Sequence, residues 1–214
     1  SILSTVQDVL DHAPGFDYVV INDCSRDHTR QVCREHHLNL LDLPINLGIG
    51  GAIQTGYRYA LEHGYDMAVQ FDGDGQHDAR YLQPMADKLE AEGLDMVIGS
   101  RFIENKGFQS TGLRRFGIQF FKWLIKLLFG ATITDATSGM RLCSRRVLEQ
   151  FSEDYPQDYP EPETVARLLR RGYRVQEVPV IMRERQAGES SINPAKSIYY
   201  MIKVSTAILI ERLR

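Results

Sequence analysis

The residues best suited to chemistry stand in the run Phe71-Asp72-Gly73-Asp74-Gly75-Gln76-His77, directly after an apolar stretch that begins at Met67. Two carboxylates one residue apart, flanked by glycines, let the backbone turn tightly and aim both groups at one divalent ion. Oxygen ligands favour Mg²⁺ or Mn²⁺, and Mg²⁺ is typically held by one or two carboxylates together with substrate phosphates. An ion so placed neutralises charge building on a leaving diphosphate. A calcium loop fits poorly: the twelfth position counted from Asp72 is Gln83, where a bidentate Glu is needed.

A second acidic loop, Asn22-Asp23-Cys24-Ser25-Arg26-Asp27-His28-Thr29, follows another apolar stretch. Asp23, just past the strand end, is placed to accept from a base or a ribose, whereas Asp27 equally suits a helix N-cap. The glycine cluster in Asn46-Leu47-Gly48-Ile49-Gly50-Gly51 opens a helix, so its amides either meet an anion or permit a close turn. In Tyr159-Pro160-Glu161-Pro162-Glu163 the prolines stiffen the approach to a helix start, where the dipole favours carboxylates. Glu161 and Glu163 therefore divide between helix caps and the general base of a transfer to a hydroxyl. If the acceptor is instead a phosphate, it is largely ionised at neutral pH and hardly needs a base.

These groups need a scaffold, and the spacing of apolar residues supplies one. Helices are expected at 2–12, 27–37, 50–63 and 79–92, with strands at 18–22, 38–43, 67–71 and 95–99. Strands separated by helices of this length imply an α/β fold with a parallel sheet, whose ligands sit at the carboxyl ends of the strands. Both acidic loops fall at such ends. Beyond residue 100 the pattern loosens to a helix at 113–129, a strand or turn at 139–144, a helix near 162–171, a strand at 174–182 and an amphipathic helix from Pro194. The chain's 214 residues suit one domain, expected to divide into a nucleotide-sugar-binding half (1–100), an acceptor half (101–193) and a C-terminal helix (194–214).

Composition narrows the partners. A net charge of -3 argues against a dedicated nucleic-acid binder, although basic residues cluster between Arg114 and Arg146. Three widely spaced cysteines, Cys24, Cys33 and Cys143, give neither a zinc site nor a disulfide framework and suit a reducing compartment. No secretory signal is visible, and the most apolar run, Phe116 to Phe129, is interrupted by Lys122 and Lys126, so it does not read as a spanning helix. It reads either as an interfacial helix or as one packed on the sheet with its lysines in water.

The segments "INDCSRDHT", "NLGIGGAIQTGYRYAL", "FDGDGQH", "GSRF", "TSGMRL", "YPEPE", "GYRVQEVPV" and "RERQAGESSI" occur in that order over nearly the whole chain. Together they resemble glycosyltransferase family 2, in the branch similar to dolichyl-phosphate mannose synthase and bacterial polyprenyl-phosphate glycosyltransferases. The resemblance implies a GT-A fold, Rossmann-like, with a mostly parallel sheet flanked by helices. It implies that Asp23 meets the nucleotide and that Asp72, Asp74 and Gln76 hold the metal and the diphosphate. Arg101, Ser138 and Arg141 would line the donor–acceptor cleft, while Arg183, Arg185 and Ser190 would sit on a loop closing over phosphates, with Gly188 giving it freedom. The implied reaction is inverting transfer from a nucleotide-diphospho-sugar, a uridine nucleotide being common in this branch, to a polyprenyl phosphate at the cytoplasmic membrane face. A membrane surface or a small membrane protein is the implied partner. Transfer to a saccharide hydroxyl, a non-catalytic nucleotide-sugar-binding subunit and a nucleotidyltransferase are the competing readings. Family members open with a strand, whereas Ser1 lies at the start of the first helix, so the sheet is expected to lack its first, central strand.

Overall fold

The computed structural model describes residues 1–104, 106, 112–183 and 194–213, with side chains at all of these except 112–114 and 194–198. The first half alternates α1 (Ile2–His12), β1 (Val20–Asn22), α2 (Thr29–Glu35), β2 (Leu40–Asp42), α3 (Gly48–Glu62) and β3 (Met67–Gln70). A 3-10 turn (Ala79–Tyr81) then runs into α4 (Leu82–Glu92), which leads to β4 (Met96–Ser100). The second half comprises α5 (Gly112–Phe129), β5 (Arg141–Ser144), α6 (Arg145–Glu153), α7 (Pro160–Arg170), β6 (Val175–Pro179) and α8 (Pro194–Leu213).

The apolar spacing explains how the helices seat. In α4, Leu82, Met85, Ala86 and Leu89 recur at helical intervals and are all buried, and the helix stops at Gly93, which takes the left-handed conformation (φ 58°). In α5, Ile118, Phe121, Leu124 and Ile125 form the buried face. Two cores result. One gathers α3, α5, α6, α7 and α8 around Tyr57, Phe121 and Phe151, and the other packs α1 and α4 on the opposite face of the sheet around Leu82, Met85 and Leu142.

The strands form two sheets. β1 and β2 pair in parallel, Ile21 opposite Leu41, while the larger sheet runs β3-β5-β4-β6. The α/β architecture expected from the spacing is what the chain adopts. The sheet is less parallel than expected, because β5 runs antiparallel to both β3 and β4, and only β4 with β6 is parallel. The helix α6 follows β5 with no intervening turn residue and is not among the helices expected from the spacing.

β1 and β3 each pair on one side only, and their other edges line one cleft of about 710 Å³ between α1 and α4 on one side and α3 on the other. Among the described residues no strand lies between them. The consequence shows in burial. Every residue of β3 is only half-buried, whereas every residue of β4 is fully buried.

Candidate active site at the carboxyl ends of the strands

The turn after β3 is closed on itself. Asp74 Oδ1 accepts from the Gln76 amide at 3.0 Å, and Gly75 takes φ +80°, a conformation that costs a glycine little. The Asp72 amide donates to His77 Nδ1 at 3.0 Å, so Nδ1 is the acceptor nitrogen and Nε2 carries the hydrogen. His77 is buried, its ring lies edge-on to Phe71 with centroids 5.2 Å apart, and Nε2 stands 3.7 Å from Asp72 Oδ2. The sequence reading gave His77 no role. The structure makes it the internal brace of the turn that carries both aspartates.

Gly139 is the second residue that sequence reasoning missed. A Cβ there would lie 3.0 Å from Asp72 Oδ2 and 3.2 Å from Gln70 Nε2, so the segment "TSGMRL" crosses directly against the Asp72 carboxylate. Gln70 Oε1 beside it is buried without a hydrogen-bond partner. The signal available in sequence was a lone glycine just ahead of a strand, a common mark of close backbone approach.

Asp23 is already engaged: its Oδ1 accepts from the Leu47 amide at 2.6 Å, and its carbonyl accepts from Asn46 Nδ2 at 2.9 Å. The carboxylate therefore joins the loop after β1 to the entrance of α3. Asp27 stands one residue ahead of the N-cap of α2, which is His28; it accepts from the Thr29 amide at 3.0 Å, and bonds from the Thr29 side chain and backbone hold its carboxyl below the usual range. The glycine cluster resolves toward close approach at Gly50, whose amide donates to Gln157 O at 3.0 Å. A Cβ there would sit 2.0 Å from the Pro156 carbonyl.

Arg101 and Arg141, expected at the cleft, and Arg183, expected on a loop closing over phosphates, are held by the protein itself. Arg101 is buried against fully buried Asp135, with Nε and Nη2 bonds of 2.7 and 2.8 Å. Arg141 is 1% exposed and donates to four uncharged acceptors: the carbonyls of Ala136, Ser138 and Glu161 and the Thr164 hydroxyl. It links the "TSGMRL" turn to the first turn of α7. Ser138 is buried too, its Oγ accepting from the Met140 amide at 3.3 Å. Both placements differ from the expected lining role, because the buried carbonyls of two tight turns need donors and Arg141 supplies them. Arg183 pairs with Asp8 at 3.2 Å and Asp78 at 3.0 Å, and its amide donates to Gln76 O, which fastens the stretch after β6 to the aspartate turn. Arg185, Gly188 and Ser190 lie outside the described residues.

Burial alone would raise the Asp78 carboxyl, but bonds from the Arg80 side chain and amide, with the charges of Arg183 and Arg80, bring it down from 3.8 to about 2. A carboxyl depressed in the folded state stabilises above its unfolded pKa, and that contribution is lost as pH falls through the folded value. The acid limb between pH 4 and 2 should therefore lose on the order of 1 kcal/mol from this group, allowing for solvent around its partners. Urea midpoints at pH 5 and pH 2.5 for the wild type and Asp78→Asn will check this: the variant should start less stable and fall less steeply.

Glu161 and Glu163 occupy the first turn of α7, as the proline spacing predicts. The Glu163 carboxylate accepts from Arg167 Nη2 at 3.1 Å, within a cluster that also holds Asp154, Arg170 and Glu211. Burial raises the Glu163 carboxyl, with Arg167 opposing. Glu161 is half-buried, and its carbonyl is the one that Arg141 holds at 2.6 Å.

The donor set suits a hard divalent ion in part. Asp72 and Asp74 present carboxylates from one turn, and among the described residues no group of three or more His, Cys, Asp or Glu side chains converges on a point. A two-carboxylate site completed by diphosphate oxygens and water is the arrangement Mg²⁺ and Mn²⁺ accept.

The paired-aspartate turn and the acidic loop thus stand at the carboxyl ends of β3 and β1, where α/β folds gather their ligands. Residues 1–152 match the family model described as "Glycosyl transferase family 2", and the chain belongs to that family. It is 28% identical over 202 residues to the undecaprenyl-phosphate mannosyltransferase of Micrococcus luteus, covering 90% of this chain and 82% of that one. It is 31% identical over 195 residues to the dolichyl-phosphate hexose transferase of Haloferax volcanii, covering 91% and 80%. Among solved structures, glucosyl-3-phosphoglycerate synthase from Mycobacterium tuberculosis, in complex with Mn²⁺, UDP-glucose and phosphoglyceric acid, superposes with a TM-score of 0.67 at 18% identity, over 99% of this chain and 76% of that one. The mannosyltransferase from Pyrobaculum calidifontis in complex with GDP-mannose and Mn²⁺ gives 0.61 at 16% identity, over 99% and 69%. At these identities the structural likeness establishes the GT-A fold alone.

Proposed function

We propose that the chain transfers a hexose from a uridine-diphospho-sugar to a polyprenyl phosphate, with inversion, at the cytoplasmic face of the membrane, in surface polysaccharide or cell-wall assembly. The observation that carries the reading is the braced turn that presents Asp72 and Asp74 at the end of β3, with Asp72 against Gly139. The similarity to two polyprenyl-phosphate sugar transferases, over 90% and 91% of this chain, supports the choice of acceptor. In the reaction an acceptor phosphate oxygen forms a bond to the anomeric carbon while the bond to the diphosphate breaks, and the electron pair leaves with the nucleoside diphosphate. A bound Mg²⁺ or Mn²⁺ supplies charge neutralisation on that diphosphate. Asp72, Asp74 and Gln76 would hold the ion and the diphosphate, and His77 and Gly139 would fix where the Asp72 carboxylate stands. Residues 1–100 would form the donor half and 101–193 the acceptor half.

The acceptor decides what Glu161 and Glu163 do. A phosphate acceptor arrives ionised and needs no base, which agrees with Glu163 being bound to Arg167. Transfer of radiolabelled sugar into an organic-extractable lipid should therefore survive Glu161→Gln and Glu163→Gln with less than about a tenfold loss. A loss of roughly 10²–10⁴-fold, with donor affinity intact, is the signature of a missing general base and would shift the assignment to a saccharide hydroxyl. Donor binding without turnover on any polyprenyl phosphate would make the chain a binding subunit instead.

A further inference from the structure

The helix α5 is apolar on two faces, and only one of them meets the protein. Ile118, Phe121, Leu124 and Ile125 are buried, but Phe116, Trp123 and Leu127 are 67%, 58% and 63% exposed. With half-buried Phe120 they fall at i, i+4, i+7 and i+11, a single stripe along the helix. A helix of a soluble domain normally turns one apolar stripe inward and its polar residues outward. Here the polar residues are displaced to one flank: Arg115, Gln119, Lys122 and Lys126 share the same spacing one residue earlier in the sequence.

The neighbouring helix repeats the pattern. α8 packs on α5 through Tyr200, whose ring meets Phe121 edge-on at 5.6 Å, and through Met201 against Gly117. Its outward side carries Tyr199, Ile202, Leu209 and Leu213, all exposed. The described residues include no helix long and apolar enough to cross a membrane. The charge is as one-sided as the apolarity. α5 carries Arg114, Arg115, Lys122 and Lys126 with no acidic residue, in a chain whose net charge is -3.

We infer that the outward face of α5, continued by α8, is the surface on which this protein lies in an anionic lipid interface. The ring and aliphatic side chains of Phe116, Phe120, Trp123 and Leu127 would enter the headgroup–acyl boundary, and the basic flank would meet lipid phosphates. Aromatic and leucine residues on one strip beside lysines whose stems reach back to water is the composition of an in-plane helix. The inference deepens the proposed membrane placement by naming the face, yet it does not depend on which acceptor the enzyme uses.

Trp123 is the chain's one tryptophan, so its emission reports directly on this face. Vesicles of phosphatidylcholine alone and of phosphatidylcholine with phosphatidylglycerol, both free of polyprenyl phosphate, should be titrated into the full chain. The expected result is a blue shift and protection from aqueous quenchers with the anionic vesicles and little change with the neutral ones. Lys122→Gln/Lys126→Gln should weaken the partition roughly tenfold at low salt, and Leu127→Asp should abolish it, with circular dichroism confirming that both fold. Binding to anionic vesicles while transfer to polyprenyl phosphate fails would sustain the surface and remove only the acceptor. No shift with either vesicle, or equal shifts with both, overturns the inference. A concentration-dependent shift without lipid overturns it too, assigning the stripe to a second copy of the chain.

Discussion

Replacing Asp72 or Asp74 by Asn should reduce transfer by on the order of 10³-fold or more while leaving the melting temperature within a few degrees of wild type. The expected size follows from what the turn is built to present. Removing one preorganised electrostatic contact from a transferring diphosphate costs about 3–4 kcal/mol, near the loss from one oxyanion-hole donor. An aspartate that shares an ion with its neighbour gives up the ion as well. Stability should hardly change because Asp72's structural bond is made by its amide to His77, which Asn keeps. Asp74 Oδ1 accepts from the Gln76 amide, and the Asn carbonyl can replace it. Titration of Mn²⁺ with UDP present and no acceptor reads the site apart from turnover. Wild-type chain should bind Mn²⁺ and UDP cooperatively, and either variant should lose that coupling. A variant that keeps full coupling would remove the aspartates from the metal site. The same titration on Gly139→Ala should show an intermediate loss, since the added methyl approaches Asp72 Oδ2 to 3.0 Å.

Arg101→Leu should destabilise the fold by about 3–5 kcal/mol, measured as a lowered urea midpoint at unchanged m-value. The cost arises from what is left behind. Asp135 has no exposed surface and accepts both bidentate Arg101 bonds, so without the guanidinium a buried carboxylate stands uncompensated. The neighbourhood cannot absorb it easily: Glu177, itself raised by burial, already accepts from the Thr134 amide and hydroxyl and from the Asp135 amide. Arg101→Leu combined with Asp135→Leu should recover a large part of the loss, since an apolar pair can replace a buried ion pair at little net cost. An Arg101 that only bound phosphate would behave oppositely, with unchanged stability and a raised KM for donor.

The alternation of apolar runs and helices made the α/β class legible, because strands and helices have different periods and each had enough residues to show one. The acidic loops and the Pro-Glu turn were legible for the same local reason, since turns and caps depend on nearest neighbours. What the residues alone left open was the direction of β5, whose partners are 43 to 77 residues earlier in the chain, as Leu142 paired with Val97 and Val69 illustrates. Arginine roles were equally hidden. Arg101, Arg141 and Arg183 look alike in sequence, and only packing shows that one neutralises Asp135, one feeds four carbonyl and hydroxyl oxygens and one clasps Asp8 and Asp78. Gly139 and His77 escaped for the complementary reason, because each acts through contact with Asp72 rather than through chemistry of its own.

The divided sheet carries a liability of a different kind. A strand with an unpaired side offers a row of amide and carbonyl groups ready to take up another chain, and proteins normally blunt such edges with charge, proline or a covering element. β1 and β3 have neither lysine nor proline, and both turn that row toward one apolar cleft. Their shortness, three and four residues, limits how firmly an intruding segment can hold. An extended apolar segment entering that cleft would meet both rows.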